Sequence, residues 1–272
     1  MRLAAAACYA TRLPMRRTAF LLLLICPALS LAADGPDAGI SPAGTDPAIA
    51  SLDALWKERS DPAKADEAIR QGTAALGAHP DDVELMYRLA RATLWVGDGE
   101  ENNDRKQKLG REVWDLGERM VKARAGWVGG HYYAAAGIGI YSQAVGILRA
   151  LGEGLEGKFN ERLDKAIELD QKFQKEMPLI AKGRYYFELP WPKRNLGKSA
   201  TWYRKALALD PNNLRATAWL GETLWRDGDV AGARAQLAKV QEGHVPDDPP
   251  EEARVKSIAR KIAAQMDKEG AK

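Results

Sequence analysis

The stretch Leu209–Leu224, LDPNNLRATAWLGETL, decides the fold because the chain carries a second version of it. Ala78-His79-Pro80-Asp81-Asp82 is followed by Leu89-Ala90 and Gly97-Asp98. Leu209-Asp210-Pro211-Asn212-Asn213 is followed, without a gap, by Leu220-Gly221 and Gly228-Asp229. Self-similarity of this kind is the signature of a repeat architecture. In each copy a proline closes one helix, and the next helix carries a large residue followed by a small one. The small residue lets a neighbouring helix cross closely. From about Pro47 onward apolar residues recur three and four apart, with breaks at Gly, Pro and Asp, and no alternating strand pattern is found.

Taking Pro211 as the proline that closes one tetratricopeptide unit, Leu220-Gly221 and Leu224 fall on the first helix of the next unit. Ala233, Leu237 and Val240 fall on its second helix, and Tyr203 and Ala206 take the matching places before Pro211. Working outward yields about five units. The first holds Leu55-Trp56, Arg59, Ala68, Gly72 and Ala75; the second opens at Leu85–Val96 and returns over Lys106–Val121. The third returns through Phe159–Leu169, the fourth starts near Leu179 and returns through Ser199–Leu209, and the fifth is Leu214–Val240. Glu251–Met266 reads as a terminal helix covering the last apolar face. The predicted fold is therefore an all-α, tetratricopeptide-type helical-hairpin solenoid over 47–242, with a loop and capping helix over 243–272. The middle repeats are enlarged beyond the roughly 34 residues of the standard unit, with extra length at Gly97–Arg105, Leu148–Lys158 and Leu189–Lys193.

The ends have a different character. Residues 1–32 read as a secretory signal: Arg16-Arg17 leads into Ala19-Phe20-Leu21-Leu22-Leu23-Leu24-Ile25, and Ser30-Leu31-Ala32 offers small residues for cleavage. Met15 is an alternative start, placing both arginines at the N-terminus. The apolar run falls short of the roughly 20 residues a membrane-spanning helix needs, and bulky Ile25 before Cys26 argues against lipidation as an outer-membrane lipoprotein. Residues 33–46, rich in Gly, Pro, Ala and Asp, read as a flexible leader. The expectation is a soluble periplasmic or secreted protein. Both cysteines, Cys8 and Cys26, lie inside the signal, so an unlipidated mature chain has no thiol for disulfides, catalysis or metal binding. The signal also holds Arg2, Arg12, Arg16 and Arg17 and no acid, so its removal turns the formal charge of +3 into about −1. That balance excludes a nucleic-acid binder.

GHYYAAAGIG, AIELDQ (Ala166–Gln171), PLIAKGRYYFEL (Pro178–Leu189) with Pro190-Trp191-Pro192, and ALALDPNNLRATAWLGETL (Ala206–Leu224) together resemble the T-component proteins of tripartite ATP-independent periplasmic (TRAP) transporters. The resemblance spans roughly Asp61 to Glu242. It implies a periplasmic helical repeat protein, often lipid-anchored and able to form homo-oligomers. Its partner would be the transporter's substrate-binding protein, and it would handle an apolar or carboxylated ligand.

Gly130–Gln143, GHYYAAAGIGIYSQ, concentrates the residues that look chemical. Gly137-Ile138-Gly139 fails as a dinucleotide fingerprint, since the third glycine falls at Ser142 and no strand precedes it. On a helix, Tyr132, Ala136, Gly139, Gln143 and Gly146 form one stripe, read as small and close-packing. Tyr133, Gly137, Ile140, Ala144 and Ile147 form an aliphatic one. His79, His131 and His244 are too far apart for metal-ligand spacing, and Asp98–Asp104 lacks the glycine and closing glutamate of a calcium loop. No cofactor or metal and no catalytic set is predicted. The aromatic residues Trp95, Trp114, Trp127, Tyr132, Tyr133, Tyr185, Tyr186, Trp191, Trp202 and Trp219 are concentrated in the middle and later units. First helices form the concave face of a solenoid, where Arg88, Arg91, His131, Tyr132, Arg184, Tyr185 and Trp191 would make a groove. An aromatic wall with arginines suits an extended peptide, or an apolar ligand bearing a carboxylate. The expected function is a non-catalytic adaptor for a protein partner; the alternatives are a small-molecule carrier and a general scaffold for envelope assembly.

Overall fold

The computed structural model describes residues 46–270, and among them the chain forms twelve α-helices. The signal segment and all but the last residue of the leader lie outside the described residues. The helices pair into successive hairpins: α1 (Pro47–Lys57) with α2 (Pro62–Ala78), and α3 (Val83–Gly99) with α4 (Asn103–Ala123). Next come α5 (Val128–Val145) with α7 (Leu155–Leu169) across the short α6 (Ile147–Gly152), and α8 (Phe173–Glu188) with α9 (Leu196–Leu209). The last pair is α10 (Leu214–Arg226) with α11 (Val230–Glu242), closed by α12 (Pro249–Lys268). This is the all-helical solenoid read from the repeat.

The two matching stretches build the same boundary. After Ala75 and Ala206, the amides of His79 and Asp210 close the preceding helices at 3.0 and 2.9 Å. Proline follows, and the third residue becomes the N-cap of the next helix. The Asp82 carboxylate accepts from the amides of Glu84 and Leu85 at 2.8 and 3.1 Å; the Asn213 side-chain oxygen accepts from that of Ala216 at 2.9 Å. Satisfying an otherwise orphaned N–H this way is worth about 1 kcal/mol per cap.

The third boundary departs from this rule. Asp170 still closes α7 through its amide on Ala166 O at 2.9 Å, but no side chain caps α8. Instead Gln174, Lys175 and Glu176 take left-handed conformations, with φ of 46°, 60° and 61°. Such a conformation costs non-glycine residues roughly 1–2 kcal/mol each. Contacts from both sides hold the turn. The Gln174 amide donates to the hydroxyls of Tyr87 and Tyr133 at 2.9 and 2.8 Å, and Asn213 Nδ2 donates to Lys175 O at 2.7 Å and to Glu176 at 2.9 Å.

The extra length at Gly97–Arg105 is mostly helix, since α3 runs to Gly99 and α4 starts at Asn103. The polar residues between them are engaged locally: Glu100 accepts from Asn102 N and Asn102 from Arg105 N, at 2.8 and 2.9 Å. The two stripes of α5 do not divide as the sequence suggests. Tyr132, Ala136, Gly139 and Gln143 line the cavity together with Tyr133 and Ile140 of the other stripe, and it is Gly137 of that other stripe that makes the closest helix contact. A Cβ on Gly137 would lie 2.2 Å from the Trp114 amide nitrogen, and one on Gly117 would lie 2.2 Å from that of Ala134. Helices α4 and α5 therefore touch backbone to backbone, which no larger residue allows.

Gly117→Ala should lower the unfolding free energy by about 3 kcal/mol in urea titrations, because rigid backbone cannot yield to the added methyl. Gly77→Ala on α2, where a Cβ meets nothing within 4 Å, should raise it by about 0.5–1 kcal/mol. Equal effects of the two substitutions would disprove the backbone contact.

Candidate functional site

The first helices of all five hairpins line one cavity of about 1020 Å³, and the loop before α12 completes its wall. One part of the wall is apolar: Ile140, Leu151, Leu155, Phe159, Ile180 and Tyr185. Elsewhere tyrosines and tryptophans alternate with arginines. Behind Tyr87, Tyr132 and Tyr133 of the wall, Trp127 and Phe173 complete a mainly edge-to-face cluster with centroids 5.2–6.5 Å apart. The hydroxyls of Tyr87 and Tyr133 meet at Gln174.

The cavity is bounded because the two ends of the solenoid meet. Arg91, Trp56, Arg59, Trp95 and Arg254 stack in alternation, with guanidinium-to-ring distances of 4.3, 3.9, 4.4 and 3.2 Å. Hydrogen bonds bind the rungs: Trp95 Nε1 donates to Arg59 O at 2.9 Å, and Arg254 Nη1 to Trp95 O at 2.8 Å. Arg59 pairs with Asp248, the N-cap of α12. Beside the stack, Arg215 holds Glu251 through two bonds of 2.6 and 2.9 Å and reaches Asp98 at 3.2 Å. Arg254 approaches Asp98 at 3.5 Å. Residues near 56–59, 95–98, 215 and 248–254 are thus joined into one polar clasp.

Burial alone would raise the carboxyls of Asp98 and Glu251. The charges of Arg215 and Arg254 outweigh it and hold both below the usual carboxylate range. Burial pushes Arg254 down to about 10, still charged at neutral pH.

Of the groove residues expected from sequence, Arg91, Tyr132, Arg184 and Tyr185 line this cavity, and Arg88, His131 and Trp191 do not. Arg91 pairs with Asp53 at 2.8 Å. Tyr132 is almost fully buried. Arg184 pairs with Glu188 and Glu222 and stacks on Trp219 at 4.4 Å. The Tyr185 hydroxyl donates to Glu156 at 2.8 Å. Arg88 is buried against Asp53 and Glu84. His131 turns Nε2 to the Ala125 carbonyl at 2.8 Å, the bond of a histidine satisfied near a helix start. Trp191 stands in solvent. The sequence reading missed Arg59, Gln174, Arg215 and Arg254 as cavity residues. Arg215 had a local signal, lying two residues after the Asn213 cap; the others had none.

Because the clasp carboxyls are depressed in the fold, their contribution is full above the ordinary carboxylate range and is lost as pH falls through it, below roughly 4. Thermal melts from neutral pH to below that value should show a falling midpoint, with a shallower fall in Asp98→Asn. Arg215→Met, which leaves two carboxylates without their main partner, should cost about 3 kcal/mol at neutral pH. A wild-type pH profile unchanged by Asp98→Asn would remove Asp98 from the linkage.

The sequence matches the family model described as "Regulator of microtubule dynamics protein 1-3" over residues 48–266. The chain belongs to that family. No curated protein matches it. Among solved structures it is similar to TTC0263, a thermophilic tetratricopeptide-repeat (TPR) protein of Thermus thermophilus, at 21% identity over 78% of this chain and 99% of that one, with a TM-score of 0.57. MamA matches at 18% identity over 73% of this chain and 95% of that one, with a TM-score of 0.43. Yeast Tom70 matches at 12% over 84% and 66%, with a TM-score of 0.30. The likeness to TTC0263 places the fold among the tetratricopeptide-repeat proteins.

Proposed function

We propose that this member of the regulator of microtubule dynamics protein 1-3 family is a non-catalytic, periplasmic or secreted adaptor that takes an extended segment of a protein partner into its central cavity. The observation that supports it is the cavity itself: five first helices converge on one space with tyrosine, tryptophan and arginine in its wall. Aromatic rings and guanidinium groups give binding energy to an extended chain through stacking and forked hydrogen bonds. The family description concerns microtubule dynamics; what the match covers here is the repeat ring, so binding is what we carry over. A substrate-binding protein of a TRAP transporter is the finer version of the partner, and it rests on the sequence resemblance.

A second reading, a carrier for an apolar or carboxylated small molecule, is favoured by the cavity's size. At about 1020 Å³ it lies at the upper end of the roughly 300–1,000 Å³ typical of small-molecule pockets.

Gly139→Trp separates these readings, since a side chain there projects into the cavity and a Cβ meets only Phe159, at 3.7 Å. The adaptor predicts a protein that co-purifies with wild type and falls about tenfold or more with the filled cavity. The carrier predicts a small-molecule adduct in native mass spectra that disappears in the same variant. If Gly139→Trp changes neither, the cavity is not the working site.

A further inference from the structure

Trp191, 89% exposed, and Leu148, 75% exposed, are the most exposed large apolar side chains among the described residues. Both sit at the apolar part of the cavity rim. Ile147 and Leu151, on either side of Leu148 in α6, line the cavity, as does Leu189, two residues before Trp191. The two segments are tied together at Glu156, just beyond α6, which accepts from the Tyr185 hydroxyl and pairs with Lys193. Trp191 is held outward by a tight turn: the amides of Lys193 and Arg194 both donate to Pro190 O, at 2.9 and 3.1 Å. Proline on either side stiffens the tip.

Cations surround that tip. Lys193 is exposed; Arg194 lies 4.8 Å from the Phe187 ring and Lys198 5.3 Å from the Tyr186 ring. Neither Arg194 nor Lys198 has a carboxylate partner among the described residues. An exposed tryptophan on a proline-stiffened turn stands clear of the body of the protein, with basic side chains rather than carboxylates beside it. A fluid interface accepts such a tip. Tryptophan settles at the headgroup level of a bilayer, and each nearby basic residue adds about 1 kcal/mol of attraction to an anionic surface. No helix among the described residues is long and apolar enough to cross a membrane, so the contact would be peripheral.

We propose that the rim carrying Trp191, Leu148, Lys193, Arg194 and Lys198 docks this protein onto an anionic lipid surface. The proposal is independent of what occupies the cavity. Flotation of the full chain with phosphatidylcholine vesicles, with and without phosphatidylglycerol, tests it. The chain should float with the anionic vesicles and release as salt is raised. Trp191→Ala should weaken partitioning about tenfold, Lys198→Ala about fivefold, and Leu148→Ser should also weaken it. These side chains are exposed, so the variants should keep the helical circular dichroism of wild type. Residues 1–45 are unchanged in every variant, so their own contribution cancels from the comparison. Equal flotation with neutral and anionic vesicles, full partitioning by Trp191→Ala, or no flotation at all would overturn the proposal. Recovery of a soluble protein through Trp191 in the absence of vesicle binding would overturn it too.

Discussion

The alternating stack of Arg91, Trp56, Arg59, Trp95 and Arg254 turns an open coil into a bounded chamber. Elsewhere each hairpin packs on its neighbours in sequence, through apolar contacts that a linear solenoid would also have. Here the first hairpins meet the last, and polar side chains do most of the joining. Guanidinium groups suit this place because their faces stack on indole rings while their edges bind carboxylates. Arg59 uses both modes, lying between two rings while it pairs with Asp248. Lysine could make only one of these contacts well.

The closure depends on curvature set in the middle of the chain. Backbone contact between α4 and α5 at Gly117 and Gly137 brings the central hairpins closer than side chains would permit. On the other side, the left-handed turn at Gln174–Glu176 replaces the usual capped boundary and redirects the chain into α8. Strain of this kind persists only where surrounding contacts over-determine it. Its supports come from both arms of the ring, Tyr87 and Tyr133 on one side and Asn213 on the other.

What could be read in the sequence was local. Pro80 with Asp82 and Pro211 with Asn213 announce helix boundaries because a break and a cap are decided within a few residues. The solenoid follows from their repetition. The stripes of α5 were misread because both hold small residues, and only the position of α4 determines which glycine is crowded. The candidate groove was half legible: Arg91, Tyr132, Arg184 and Tyr185 sit on first helices and face inward by register. His131 and Arg88 sit on first helices too, yet a backbone carbonyl and two carboxylates claim them. Apart from the place of Arg215 just after the Asn213 cap, the clasp left no local trace. Trp95, Asp98, Arg215 and Arg254 become neighbours only after every intervening turn has taken its angle.

A linear solenoid can gain or lose a unit at either end and remain what it was. This one cannot, because Arg254 must arrive at Trp95 and Arg215 at Asp98 after a set number of turns. Duplicating or deleting a hairpin would carry those arginines past their partners, leaving charges stranded on an open spiral. The chain therefore counts its own repeats, and the segments around Leu148 and Trp191, which take no part in the closure, are where added length would leave the circumference alone.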